Sequence, residues 1–387
     1  MKILYIGTGA QAIGYNSETA VELIINILGT EMEKLGEDVG IIDIKDDTMN
    51  RNNKLKYHFI DMPGFLEKTK PKPGSFFHVL KKLIFSIKSV LLIYNLNKKE
   101  KIDIIHIQNQ YPGFFIMLFL KRFMKKSRFV YTSHTPFWSF DKKDFKKYYF
   151  KTYLDRICMK LADKAIAIGY SQKNGLVKHG KIDKNKIIVI QNGVNLDKFY
   201  PGKSRMKKEE KLVVLSVARI SNVKNQLMII KTVPEIIKKR NIKFVFIGQL
   251  EEEDYVIKLK DFIKENKIEK YVEILGVKNE DLAEYYRLAD IFVSASNAEG
   301  FPLTVLEAMA SGCVLILSDI EPHKEILEDK GIVFFKKDNE KDFIEKLSKI
   351  IKDKSLREKL GKKSLESARK NYSWKGVALE NKKLYVE

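Results

Sequence analysis

The sequence is poor in the residues that would place a protein outside the cell or across a membrane. Cys158 and Cys313 are the only cysteines in 387 residues, so no disulfide framework is available. Each stands among apolar neighbours and reads as a small core residue, which suits a reducing compartment. There is no uncharged apolar run of spanning length: Phe114 to Leu120 is short, and Lys81, Lys82 and Lys88 interrupt the region from Phe76 to Tyr94. Met1 leads directly into a strand-like segment, with no separate apolar signal region or cleavage site. The expectation is a cytoplasmic protein, soluble or peripheral on the inner face of the cytoplasmic membrane.

Acidic residues are scarce in one part of the chain. The net charge is +21, yet residues 1–50 carry 3 basic against 9 acidic side chains, while residues 51–150 carry 21 against 6. A basic field so placed suits an anionic partner surface: lipid headgroups, nucleic acid or a polyanionic substrate. Glycine is missing where a dinucleotide fingerprint needs it, because Gly7-x-Gly9 is followed by Ala12. No nicotinamide is implied. No tightly spaced group of Asp and His suggests a metal, so no cofactor is expected.

What is present is a βα rhythm. The length favours two domains and the 44% hydrophobic content a globular chain. A strand over 2–7, a helix over about 18–35 and a strand over 39–44 open the chain. Residues 45–75, with Pro63, Pro71 and Pro73, read as irregular and mobile. Helical spacing follows from Phe76 to Leu96, with Leu91, Leu92 and Ile93 assigned to the core and Lys81, Lys82, Lys88, Lys98 and Lys99 to solvent. Strands near 103–108 and 129–134, a segment from Leu161 to Ile168 that leads to another, and one at 187–190 alternate with helices, so the sheet should be parallel. Asn192-Gly193-Val194-Asn195, Pro201-Gly202 and the polar run 203–211 mark the linker. The second half restarts at Leu212 and alternates again to a helical tail.

One stretch organises the second half, from Ser294 to Gly312. The apolar run Ile291-Phe292-Val293 precedes it and Val314-Leu315-Ile316-Leu317 follows. Between these strands lie a loop and a helix, with Pro302 in the first turn and Gly312 at the end. A helix N-terminus beyond the carboxyl end of a strand is where open α/β sheets bind ligands. The N–H groups of Leu303 and Thr304 would form an anion site, flanked by Glu299 and Glu307. Such a site suits a phosphate-bearing ligand with hydroxyls on both sides. The plainer alternative is a loop carboxylate and a surface helix glutamate. Upstream, Arg219 ends a strand and Lys224 follows five residues later; alone they read as a strand-end arginine and a solvated loop lysine.

These residues resemble the retaining glycosyltransferases of family 4, which have the GT-B fold. The resemblance covers essentially the whole chain and is strongest from Leu212 to about Leu327. It implies two facing Rossmann-like domains with mainly parallel sheets and an interdomain cleft. The domains would be an acceptor-binding domain over 1–195, a nucleotide-sugar-binding domain over 205–370 and a terminal helix over 371–387 that crosses back. The motif Glu299-Gly300-Phe301-Pro302-Leu303-Thr304-Val305-Leu306-Glu307 matches the family's pair of glutamates. By resemblance Glu299 contacts the donor hexose, Glu307 holds the ribose hydroxyls, and the backbone near Leu303 and Thr304 meets the diphosphate. Pro302 stands where many members have glycine. Arg219 and Lys224 match the family's cation pair, and Gly276-Val277 resembles the turn against the base. Gly248-Gln249-Leu250-Glu251 departs from the family, lacking a second glycine. In the first half Gly14 lies in a loop resembling the family's glycine turn, though Ile13 replaces its partner glycine. His134 matches the family's cleft histidine near the sugar. His106 matches another, for which a core role is the stronger reading.

The resemblance implies transfer of a hexose or N-acetylhexosamine from a UDP- or GDP-linked sugar to an acceptor hydroxyl with retention. A lipid-linked or growing glycan acceptor in cell-surface polysaccharide or glycolipid synthesis fits the basic first half. Phe76, Phe77, Leu80, Leu83 and Ile84 with Lys81 and Lys82 could form an interfacial helix, or a core helix with a solvated lysine face. Rival readings are another GT-B enzyme such as a sugar-nucleotide epimerase, a donor-binding regulatory subunit, or a basic nucleic-acid-binding protein. Nucleic acid is not expected as a partner, because no recognised module is present and the charge lies away from the strongest motifs.

Overall fold

The apolar runs of the sequence become the strands of two separate parallel sheets in the computed structural model of the chain. The structure describes residues 1–15, 17, 19–67, 75–139, 152–206, 211–239, 241–276, 281–326 and 331–387. The chain divides into two compact units. One comprises Met1–Asn192 with Trp374–Glu387, the other Gly193–Ser373.

The first unit holds a sheet of seven strands: β1 (Lys2–Ile6), β2 (Asp38–Ile44), β3 (Lys56–Ile60), β4 (Ile104–Ile107), β5 (Arg128–Ser133), β6 (Lys164–Ala167) and β7 (Ile187–Val189). Their order is β3-β2-β1-β4-β5-β6-β7, and every pairing is parallel. The chain winds outward from β1 in one direction, then returns to β4 on its other side. That reversal between β1 and β4 opens a crevice at the carboxyl ends of the strands. The central strands are buried on both faces, which is why they read as unbroken apolar runs. Ile6, Ile42, Ile105, Ile107 and Phe129 form the middle of the core, each burial worth about 1.5–3 kcal/mol. Four helices come first in this unit: α1 (Ala20–Lys34), α2 (Gly64–Glu67), α3 (Phe76–Lys99) and α4 (Gln110–Leu120). The last helix of the chain, Trp374–Val386, packs on α1.

The second unit repeats the plan with β8 (Leu212–Val217), β9 (Ile242–Ile247), β10 (Val272–Leu275), β11 (Ile291–Ser294), β12 (Val314–Ser318) and β13 (Ile332–Phe335). The order is β10-β9-β8-β11-β12-β13, again wholly parallel, with the reversal between β8 and β11. Val214, Phe244, Phe246, Ile291, Val293 and Ile316 fill its core. Cys158 and Cys313 are free and buried, one in each unit.

Several expectations need correction. Residues 45–75 are not simply irregular: β3 adds the edge strand Lys56–Ile60 to β2, and α2 follows, while 68–74 lie outside the described residues. Only Ile60 of this edge strand is fully buried, so its apolar pattern is weak, and the nearby prolines obscured it. β13 was likewise missed before the tail. The largest difference is the rotation of α3. Ile93 is buried as expected, but Leu91 is 62% exposed, and Lys81, assigned to solvent, is 4% exposed.

Candidate active site

The two crevices at the sheet reversals hold most of the singled-out side chains. In the second unit, β8 and β11 lie side by side, with Ile291 opposite Val214 and Phe292 opposite Leu215. The loops leaving their carboxyl ends must therefore meet. The β8 loop carries Arg219 and Lys224; the β11 loop carries Glu299. The loops are tied by the Asn297 N–H donating to the Val223 carbonyl at 2.8 Å. Asn225, at φ +53°, makes the left-handed turn into the next helix.

Lys224 Nζ lies 2.6 Å from Glu299 Oε1, and their side chains are 13% and 10% exposed. The Ser296 hydroxyl donates to the same carboxylate oxygen at 2.7 Å. Burial raises the Glu299 pKa, but Lys224, then the nearby His323, and the Ser296 bond outweigh it, so the carboxyl titrates below its ordinary range. His323 lies in the short helix Glu321–Lys324 after β12, with its ring buried. Its Nδ1 lies 2.8 Å from the Ser318 carbonyl, and its Nε2 has no partner among the described residues. The Ser318 hydroxyl in turn donates to the Ser296 carbonyl at 2.7 Å. Ser296 and His323 were not found from the sequence, because nothing in their local spacing distinguishes them from core residues.

The helix after this loop runs Leu303–Ala310. Pro302 is its N-cap, with ψ 95°, not its first helical residue as expected. Proline at this position still leaves the N–H groups of Leu303 and Thr304 in the first turn, without intrahelical acceptors and near the positive end of the helix dipole. Gly312 ends the helix at φ +77°, where only glycine turns at no cost. Gly300 stands in the loop, partly exposed, and Phe301 is buried with its ring 6.3 Å from that of Tyr372. Glu307, a turn further on, accepts a hydrogen bond from the Tyr286 hydroxyl at 2.8 Å. Burial lifts the Glu307 pKa to about 7, opposed by Tyr286 and Lys198.

Arg219 lies apart from the Lys224–Glu299 pair. Its guanidinium bonds to Glu251, in the turn after β9, and its side chain remains 53% exposed. Glu251 belongs to the segment that departs from the family pattern. The turn itself needs Gly248, since a Cβ there would lie 1.9 Å from the Ala218 carbonyl oxygen. Val277 lies outside the described residues.

The first unit places its candidates on the loops after β1, β4 and β5. Gly14 is buried, and its N–H donates to Ser17 Oγ at 2.9 Å, so that donor is engaged within the turn. The preceding Ile13 N–H donates to Asp43 Oδ2 at 2.9 Å, and burial raises Asp43 to about 7 against the pull of that bond and of Arg51. His134 Nε2 is 2.9 Å from Gln108 Oε1, on the adjacent strand end. Burial lowers the His134 pKa to about 4, so the ring is neutral at pH 7. His106 is a core histidine: its ring nitrogens meet the Tyr385 hydroxyl at 2.6 Å and the Thr132 hydroxyl at 2.7 Å.

Among the described residues, no three His, Cys, Asp or Glu side chains gather as metal ligands. The second-unit crevice thus offers a buried cation and a buried carboxylate on adjoining loops, then a helix N-terminus and a second carboxylate within that helix. That set can bind an anion at its centre and hydroxyls on both sides.

Comparison with known proteins identifies the family and the fold. Residues 202–367 match the family model described as Glycosyl transferases group 1. Residues 21–198 match Glycosyltransferase Family 4. A UDP-Gal:alpha-D-GlcNAc-diphosphoundecaprenol alpha-1,3-galactosyltransferase of Escherichia coli is 29% identical over 291 residues, 71% of this chain and 73% of that one. An N,N'-diacetylbacillosaminyl-diphospho-undecaprenol alpha-1,3-N-acetylgalactosaminyltransferase of Campylobacter jejuni is 31% identical over 227 residues, 56% of this chain and 58% of that one. The structure of sucrose-phosphate synthase from Thermosynechococcus elongatus shares the fold at TM-score 0.81 and 18% identity, covering 100% of this chain and 98% of that one. The fold is therefore of the GT-B class, and the chain belongs to the family 4, group 1 glycosyltransferases.

Proposed function

We propose that this glycosyltransferase moves a hexose or N-acetylhexosamine from a nucleoside-diphosphate sugar to a hydroxyl of a lipid-linked acceptor, with retention at the anomeric carbon. The observation that carries the reading is the buried Lys224–Glu299 pair beside the N-terminus of helix Leu303–Ala310. The E. coli and C. jejuni relatives bear names that specify diphosphoundecaprenol-linked acceptors, and the former a UDP-sugar donor. Those names support the substrate classes assigned to this chain, and a peripheral site of action at a membrane follows from such an acceptor.

In the proposed reaction the acceptor oxygen bonds to the anomeric carbon on the face from which the diphosphate leaves. The bond between that carbon and the phosphate oxygen breaks, and the acceptor proton passes to the departing diphosphate. No protein nucleophile is required. Negative charge grows on the diphosphate, and Lys224, Arg219 and the N–H groups of Leu303 and Thr304 answer it. Glu299 orients the hexose, Glu307 takes the ribose hydroxyls, and neutral His134 is assigned to the donor sugar. Gly14 shapes the first-unit loop. Cation side chains carry the leaving-group charge, so the reaction is proposed to need no resident metal. Assay of UDP- and GDP-sugars with a diphosphoprenol acceptor, with product mass for transfer and proton NMR for sugar and anomeric configuration, tests the reading. Acceptor-dependent product with the donor's anomeric configuration is expected; donor turnover to an epimer without acceptor would overturn it.

A further inference from the structure

The helix α3 packs Phe85, Ile93, Ile84, Val90, Leu92 and Leu96 on the core and still presents a second apolar stripe to water. Phe76, Leu83, Ile87, Leu91 and Tyr94 are exposed by 74%, 38%, 47%, 62% and 41%. Their spacing of seven, four, four and three places them on one stripe of the helix. The opposite side buries Lys81, Ser86 and Ser89 beside Phe85 and Ile93. The serine hydroxyls are satisfied within the helix, Ser86 by the Lys82 carbonyl at 2.6 Å and Ser89 by the Phe85 carbonyl at 2.8 Å. Phe85 also fixes the rotation: its Cγ lies 2.5 Å from where a Cβ on Gly9 would stand, and Gly9 has φ +71°. The helix cannot roll to hide the stripe without losing that contact.

A contiguous exposed apolar stripe on a rigid helix marks an interaction surface. The neighbouring helix α4 and the turn after it add Leu118, Phe119 and Phe123, exposed by 49%, 51% and 76%. Cations border both: Lys88 and Lys98 on α3, and exposed Arg122, Lys125 and Lys126 beyond α4. Lys98 Nζ lies 4.4 Å from the Tyr94 ring centre, the arrangement of an interfacial aromatic with its cation. At about 1.5 Å per residue the helix is about 36 Å long, but among the described residues no helix is apolar enough to cross a membrane.

We infer that the exposed stripe of α3, with Leu118, Phe119 and Phe123, docks this chain flat on an anionic lipid bilayer. The apolar side chains enter the acyl boundary, and the bordering lysines and arginines meet the headgroups. The charge decides the occupant: residues 51–150 hold 21 basic against 6 acidic side chains, which a neutral protein face would not complement. The inference deepens the reading of a lipid-linked acceptor and rests on it, because docking brings the first unit to the plane where such an acceptor lies.

Flotation of the full chain with phosphatidylglycerol–phosphatidylcholine vesicles, and with phosphatidylcholine alone, tests it. Wild type should bind the anionic vesicles at least about tenfold more tightly, with loss at high salt. Ile87→Glu with Leu91→Glu should lose about tenfold or more of that binding. Arg122→Glu with Lys125→Glu should lose the anionic preference alone. These side chains are exposed, so the fold should survive, and thermal shift with UDP or GDP on the same samples checks that. Absence of wild-type binding, or full binding by the Ile87/Leu91 variant, overturns the inference. So does a dimer that this variant dissociates while vesicles are ignored, which would make the face a contact between copies. A missing nucleotide response in wild type would instead count against the reaction proposed above, whatever the vesicles show.

Discussion

Lys224 and Glu299 form an almost fully buried ion pair across the sheet reversal of the second unit, 2.6 Å apart. Removing one partner of a buried pair leaves the other charge uncompensated, at a cost of about 3–5 kcal/mol. Loss of activity in a single variant therefore mixes structure with chemistry. The double variant Lys224→Ala/Glu299→Ala separates them. Its melting temperature should recover above that of either single variant, because no lone buried charge remains. Its turnover should not recover, and Lys224→Ala alone should lower kcat by about 10²–10³. A double variant that regains turnover along with stability would reduce the pair to a structural role.

Glu307 brings a pH dependence to the nucleotide side of the site. Burial lifts its pKa to about 7, so the carboxyl is partly protonated at neutral pH. Ribose hydroxyls donate to the ionised form. Nucleotide affinity should thus rise as pH increases from 6 to 8, and Glu307→Gln should flatten that slope. Calorimetric titration with the nucleoside diphosphate at several pH values reads both. The same raised pKa acts on stability with the opposite sign. The folded state holds a proton that the unfolded chain releases above its ordinary range, so this group favours folding at acid pH and its contribution declines as pH rises through about 7.

Arg219 is held by Glu251, and the pair is exposed on both sides. An exposed pair is worth about 0–1 kcal/mol, so Glu251→Gln should leave the melting temperature nearly unchanged. It should nevertheless release Arg219 toward a bound diphosphate. We expect the diphosphate Kd to fall about two- to fivefold at low salt, with the gain lost at high salt. Weaker binding in Glu251→Gln would show that this glutamate contacts the nucleotide itself.

The sequence disclosed the sheet and the reaction class more readily than the side-chain partnerships. Buried parallel strands such as Ile104–Ile107 and Val314–Ser318 stand out because both faces are apolar. Glu299 and Lys224 could be singled out because each sits at a fixed distance from a strand end. Glu251 and His323 could not, since they reach the site from other segments, and Ser296, three residues before Glu299 on the same loop, could not because nothing in its local spacing marks its bond to that carboxylate. The α3 helix failed for a different reason. Its lysines were assigned to water by residue type, whereas Phe85 and Gly9, 76 residues apart in sequence, set the rotation that buries Lys81 and exposes Leu91. A tertiary contact overrode the polarity rule, and only the fold reveals it.

The fold of the first unit should be sensitive to acid through two of its histidines, His106 and His134. Burial, and secondarily His134, lowers His106 to about 3; burial lowers His134 to about 4. Unfolding returns both to about 6.5, so between that value and their folded values the unfolded chain binds more protons. Their contribution is therefore greatest above pH 6.5 and falls as the pH drops through the window to 4 and then 3, while buried Asp43, raised to about 7, works in the opposite sense. For His106 alone the loss from pH 7 to pH 5 is about 2 kcal/mol. The Tyr385 hydroxyl, 2.6 Å from His106 Nδ1 and 3.0 Å from the Tyr5 hydroxyl, ties the last helix to this ring. Tyr385→Phe should cost about 1–3 kcal/mol at pH 7 by leaving buried polar atoms unpaired. It should also speed amide exchange in Trp374–Val386. His106→Gln should reduce the acid sensitivity while leaving the pH 5 to 7 response of His134 in place. Urea denaturation at pH 5, 6 and 7, with hydrogen exchange on Tyr385→Phe, measures each term. Equal acid sensitivity in wild type and His106→Gln would assign the effect to other groups.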